Sequence, residues 1–150
     1  MGREVRMVPS GWKHPKDEED PKHFKPLMSG YAETAQAFLN LKTLDELQKA
    51  LDYHGCPDRN DYMPEWTEDV ATHYMMYETT SEGTPISPAF ATPEELARWL
   101  ADTGASAFGN ETASYEGWLR VAKGGYACSA IGAPGHGLIS GVEALKGTPL

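Results

Sequence analysis

Proline and glycine punctuate this sequence closely, and the segments between those marks fix which elements the chain can form. Pro9, Pro15, Pro21 and Pro26, with the charged run Lys16-Asp17-Glu18-Glu19-Asp20, leave residues 9–26 without a hydrophobic period. That stretch reads as loop, anchored to a core by Trp12 and Phe24. Before it, Arg3 to Val8 alternates Glu4 and Arg6 with Val5 and Met7, the pattern of a short half-buried strand ended by Pro9.

Helices are marked at both ends. Tyr31, Ala35, Phe38 and Leu39 recur at helical spacing, and Leu44, Leu47 and Leu51 follow a Thr43/Glu46 capping box with Gly55 as the stop. Thr92-Pro93-Glu94-Glu95 supplies a threonine cap, a first-turn proline and early acids ahead of Leu96, Trp99 and Leu100, with Gly104 beyond. A fourth helix is expected from near Thr112, through Tyr115, Trp118, Leu119 and Ala122, to the Gly124-Gly125 pair. Residues 72–80, rich in aromatics and threonine, read as the central strand, although Val70, Tyr74 and Tyr77 also fit a helical stripe over 68–80. After Tyr126 the glycine-rich chain suggests two short strands around Ile131 and Leu138-Ile139, joined by the Ala133–His136 turn.

These elements predict an α+β fold, a small antiparallel sheet flanked by about four helices. At 150 residues one compact domain is expected over 1–150: a strand and Pro-rich charged loop in 1–30, a helical body with the central strand in 31–125, and a Gly-rich segment in 126–150. No apolar run approaches the roughly 18–20 residues of a membrane span, and no apolar segment follows the charged N-terminus. Neither a membrane nor a secretory address is expected. Cys56 and Cys128 are isolated and read as buried free thiols.

Charge is unevenly placed. The net charge is −9, yet residues 31–118 hold sixteen Asp/Glu against four Lys/Arg, while the flanking segments are slightly basic. Such a middle section repels nucleic acid and attracts basic surfaces.

Catalytic motifs are sparse. Gly132-Ala133-Pro134-Gly135-His136-Gly137 lacks the Lys-Ser/Thr of a phosphate loop, Leu138-Ile139-Ser140-Gly141 lacks the nucleophile elbow, and Cys56-Pro57 reverses the deaminase order. His54 and Cys56 supply too few ligands for zinc, so neither a metal nor a cofactor is expected. Two stretches remain. Asp58, Asp61, Glu65, Glu68 and Asp69 crowd carboxylates into twelve residues, as an acidic protein-binding surface or the cation site of a metal-dependent hydrolase. Thr79, Thr80, Ser81, Gly83, Thr84 and Ser87 crowd hydroxyls between strand and capped helix, and with Thr92 and Arg98 form a possible small-anion site.

Longer motifs carry a resemblance. Arg6-Met7-Val8-Pro9, Trp12-Lys13-His14-Pro15, Leu51-Asp52-Tyr53-His54-Gly55, Tyr62-Met63-Pro64-Glu65-Trp66 and above all Met76–Pro88 make the chain similar to a family of uncharacterised proteins of tailed bacteriophages and prophages. The resemblance runs on through Thr92–Leu100 to Ser114–Leu119 and covers most of the chain. It implies a life in the cytoplasm of an infected bacterium and transfers no activity. The expected function is binding rather than catalysis. The leading reading is a phage accessory protein whose acidic surface docks on a basic host or phage protein, as an inhibitor of a bacterial defence or restriction system. The alternatives are a binder of nucleotide-like anions over the 78–90 loop and the metal-dependent hydrolase.

Overall fold

The computed structural model describes residues 2–79, 83–133, 135 and 137–146. The fold is α+β, in two compact units: one formed by Met1–Lys25 with Trp66–Leu150, the other by Pro26–Glu65.

In the first unit, β1 (Arg3–Val8) pairs antiparallel with β2 (His73–Glu78), from Arg3 opposite Glu78 to Val8 opposite His73. On its other side β1 meets the two-residue β3 (Tyr126–Ala127). The order β2-β1-β3 makes β1 central, correcting the expectation of a central strand over 72–80: His73–Glu78 forms a strand, but at the edge. Their continuous apolar run has a local cause. Tyr74 and Met76 join the core on one face, and Met75 and Tyr77 are buried on the other.

The core is built by α3 (Pro93–Thr103) and α4 (Tyr115–Gly124). Leu96, Ala97, Leu100, Trp118 and Val121 are fully buried there with Met76. The Thr92 hydroxyl accepts from the Glu95 N–H at 3.2 Å, and Gly104 closes the helix in the left-handed region at φ 67°. Trp99, one turn from Leu96 and next to Leu100 in the helical pattern, is half-buried and packs on the core's margin. The cap of α4 is Ser114 rather than Thr112, because Ser114 Oγ accepts from the Gly117 N–H at 3.2 Å.

The glycine-rich end forms the hairpin β4 (Ala130–Ala133) and β5 (Gly137–Ser140), then a short helix α5 (Gly141–Ala144) that the sequence pattern did not announce. Pro134 and His136 of the expected turn lie outside the described residues. Glu143 of α5 accepts from the Ser114 N–H at 2.9 Å and binds its hydroxyl at 3.0 Å, tying α5 to the start of α4. Gly117 allows this approach, since a Cβ there would lie 2.9 Å from the Val142 carbonyl oxygen; Gly141 lets α5 start against Cys128, whose carbonyl a Cβ would enter.

The second unit holds α1 (Tyr31–Leu39), α2 (Leu44–His54) and a 3-10 turn (Arg59–Asp61). As expected, the Thr43 hydroxyl caps α2 by accepting from the Glu46 N–H at 3.1 Å. Met28 donates its N–H to the Asp61 carbonyl and accepts from Met63. Arg59 lies 5.2 Å over the Tyr31 ring and donates to the Met63 carbonyl at 2.8 Å. Neither α1 nor α2 contains a buried residue.

Candidate functional site

The acidic group suggested by the sequence is divided by the fold. Asp58, Asp61 and Glu65 belong to the second unit, Glu68 and Asp69 to the first. Two of these carboxylates serve the backbone: Asp58 accepts from the Asn60 N–H at 2.9 Å, and Glu65 accepts from the Ala32 N–H at 3.2 Å in the first turn of α1. Among the described residues no group of three His, Cys, Asp or Glu side chains comes together to hold a metal ion. The thiols also differ from expectation, since Cys56 is exposed and Cys128 only half-buried.

Three hydroxyls of the 79–92 stretch are likewise engaged by the backbone. Thr79 Oγ1 accepts from the Gly2 N–H at 3.1 Å, and Thr92 caps α3. Ser87 Oγ accepts from the Met76 N–H at 2.9 Å and donates to the Pro88 carbonyl at 2.8 Å. Thr84 accepts Glu78 N–H through its carbonyl, and Gly83 donates back to Thr79. Arg98 lies 4.0 Å over the Tyr115 ring and 3.7 Å from Asp102. Thr80 and Ser81 lie outside the described residues.

Two concavities stand out instead. In the second unit, an open groove of about 610 Å³ runs between the helices. Met28, Ala37, Phe38, Leu41, Ala50 and Pro57 give it apolar walls, and Glu33 and His54 stand at its margin. The same unit exposes Leu39 (76 %), Leu44 (84 %) and Tyr53 (85 %). Its residues include seven Asp/Glu against three Lys/Arg.

In the first unit, a cavity of about 630 Å³ lies between the 12–24 loop and residues 85–89. Of the small-anion set named from sequence, Ser87 alone among the described residues lines it. The others are Trp12, Lys13, His14, Lys16 and Phe24, from a stretch that sequence reading treated as an anchored loop, together with Met75, Pro85, Ile86, Pro88, Ala89 and Trp99. Beneath it runs a chain of hydrogen bonds. Trp12 Nε1–H donates to Tyr77 Oη at 3.2 Å, Tyr77 Oη lies 2.9 Å from His14 Nδ1, and His14 Nε2 lies 2.6 Å from the Lys25 carbonyl. A carbonyl only accepts, so His14 is the Nε2–H tautomer and Tyr77 donates to Nδ1. Burial pushes the Tyr77 hydroxyl up to about 12.

Burial also pulls the His14 imidazole below its usual range; the Lys25 carbonyl opposes this, and Arg6 and Lys16 add to it. The stability consequence has a definite sign. The unfolded chain binds a proton at His14 more readily, so the contribution is complete above the unfolded value of about 6.5 and is lost as pH falls toward the lower folded value. We expect melting temperature to drop between about pH 7 and about pH 5, and the drop to shrink in His14→Gln. Equal pH slopes for both proteins would show that His14 titrates freely.

No protein-family model, no curated protein and no solved structure matches this chain.

Proposed function

We propose that the chain acts by binding another protein, taking a basic amphipathic helix of that partner into the α1–α2 groove. The observation that carries this reading is that two successive helices contain no fully buried residue while an apolar groove lies open between them. Helices of 9 and 11 residues are marginal in water and draw their stability from packing an apolar face. A partner helix laid into the groove, with anchors at helical spacing, supplies that packing. The excess of acids over bases in residues 26–65 selects a basic partner and speeds its encounter. A host or phage protein whose basic surface otherwise receives nucleic acid fits this description. The reading therefore agrees with a phage accessory protein working in the bacterial cytoplasm against a defence or restriction system.

The test is a titration with two designed amphipathic helical peptides, one with leucine and lysine and one with leucine and glutamate. We expect the basic peptide alone to bind, with affinity falling as salt shortens screening from about 8 Å at physiological strength to about 3 Å at 1 M. Phe38→Asp, which places a charge in the groove wall, should abolish binding, and Glu33→Lys should slow association. Glu65 is unsuitable for charge reversal, because its carboxylate is bound to the Ala32 N–H. Equal binding of the two peptides, or unchanged binding by Phe38→Asp, would remove the groove as the interface.

A further inference from the structure

We propose that the cavity of the first unit is a second, independent binding site, for a mononucleotide-sized aromatic anion whose ring lies against the indoles and whose phosphate sits at Lys13 and Lys16. Its volume of about 630 Å³ falls within the range of about 300–1,000 Å³ typical of small-molecule sites. Three aromatic side chains, Trp12, Phe24 and Trp99, stand in its walls with Met75, Ile86 and Pro88. Such walls suit a planar ring, since a base stacked on an aromatic face gains about 1–3 kcal/mol.

The charge of the lining selects the sign of the ligand. In a chain of net charge −9, the described residues lining this cavity include two lysines and a histidine and no carboxylate. Neither lysine is in an ion pair among the described residues; Lys16 Nζ rests 3.6 Å over the Phe24 ring, and Lys13 carries no ring contact. A lysine ammonium receives phosphate as a point charge through three donors. The floor adds shape rather than donors. Trp12 Nε1, Tyr77 Oη and both His14 nitrogens are already bonded to one another or to the Lys25 carbonyl, so polar recognition falls to the lysines. The same bonds hold the 12–24 loop in place without ligand, so little ordering is needed on binding. This site shares no residue with the α1–α2 groove, and its failure would leave the peptide-binding reading untouched.

The experiment is calorimetric titration of the full chain with adenosine 5′-monophosphate, adenosine and inorganic phosphate, with NMR observation of the indole N–H signals. We expect saturable binding of the monophosphate at least about tenfold tighter than of adenosine or phosphate alone, because ring and charge act together. The Trp12 and Trp99 signals should move, while that of the core residue Trp118 should stay. In the double variant K13A/K16A the monophosphate should lose about tenfold or more in affinity, and adenosine should be unaffected. Both lysines are exposed, so the fold should survive, and an unchanged melting temperature would verify it. Absence of saturable monophosphate binding, equal affinity in K13A/K16A, or adenosine binding as tightly as its monophosphate would each overturn the proposal.

Discussion

Leu100→Ala is expected to destabilise the protein by about 2–5 kcal/mol, lowering its melting temperature and its denaturation midpoint. Leu100 is fully buried between the two helices that build the core, within the cluster of Met76, Leu96, Trp118 and Val121. Truncation removes apolar contacts and leaves a void, and the cost depends on how far these neighbours collapse into it. Leu44→Ala provides the contrast: Leu44 is 84 % exposed, and its change should stay within about 0.5 kcal/mol. A Leu100→Ala protein that melts with the wild type would show that α3 does not pack as described.

Arg3→Ala is the second large effect, expected near 3 kcal/mol. Arg3 is only 2 % exposed at the start of the central strand. Its guanidinium donates through Nε to the Ser106 carbonyl at 2.9 Å and through Nη1 to the Gly2 carbonyl at 3.0 Å, and lies 3.5 Å from the Glu78 carboxylate. Burial lowers its affinity for a proton, and Glu78 partly restores it. Removing it strands carbonyls whose donor is gone and leaves Glu78, itself only 21 % exposed, without that cation. Arg3→Lys, which keeps charge but loses the fork of donors, should recover part of the loss. Equal unfolding midpoints for wild type and Arg3→Ala would refute this account.

The helices were legible because their signals are local. Thr43, Thr92 and the glycines at 55 and 104 mark ends by hydrogen bonds within one turn, and the structure places those ends as the sequence indicates. Met7 shows where alternation misleads. The pattern pairs it with Val5 as an inward residue, yet it is exposed and Arg6 is buried, lying 4.5 Å over the Tyr77 ring and 2.9 Å from Glu4. Cation–aromatic contact and ion pairing make an arginine acceptable inside, and the aromatic partner, Tyr77, comes from β2, outside the pattern that predicts the strand. The short α5 has a local cap in Ser140 but depends on a distant partner as well, since Glu143 reaches back to Ser114.

The cavity in the first unit was hidden for a similar reason. Trp12 and Phe24 were recognisable as anchors, but their surroundings depend on which side of β2 they cover, and sequence periodicity carries no such information. The hydroxyl-rich stretch attracted attention for its composition, whereas the fold uses Thr79, Ser87 and Thr92 to satisfy backbone N–H groups. Functional composition and structural need look alike until the donors are located.

The placement of β2 at the edge of the sheet carries a consequence for how this protein meets others. An open edge offers a row of unpaired backbone groups on which another chain can polymerise. Here the 84–90 segment occupies that row: Ile86 donates its N–H to the Met76 carbonyl, Phe90 and Tyr74 exchange two bonds, and the Met76 N–H goes to the Ser87 hydroxyl. Pro85 and Pro88 in that segment have no amide to offer outward. Partners therefore cannot be recruited on this side by adding a strand to the ladder, and the protein carries there its own guard against fibrillar self-association.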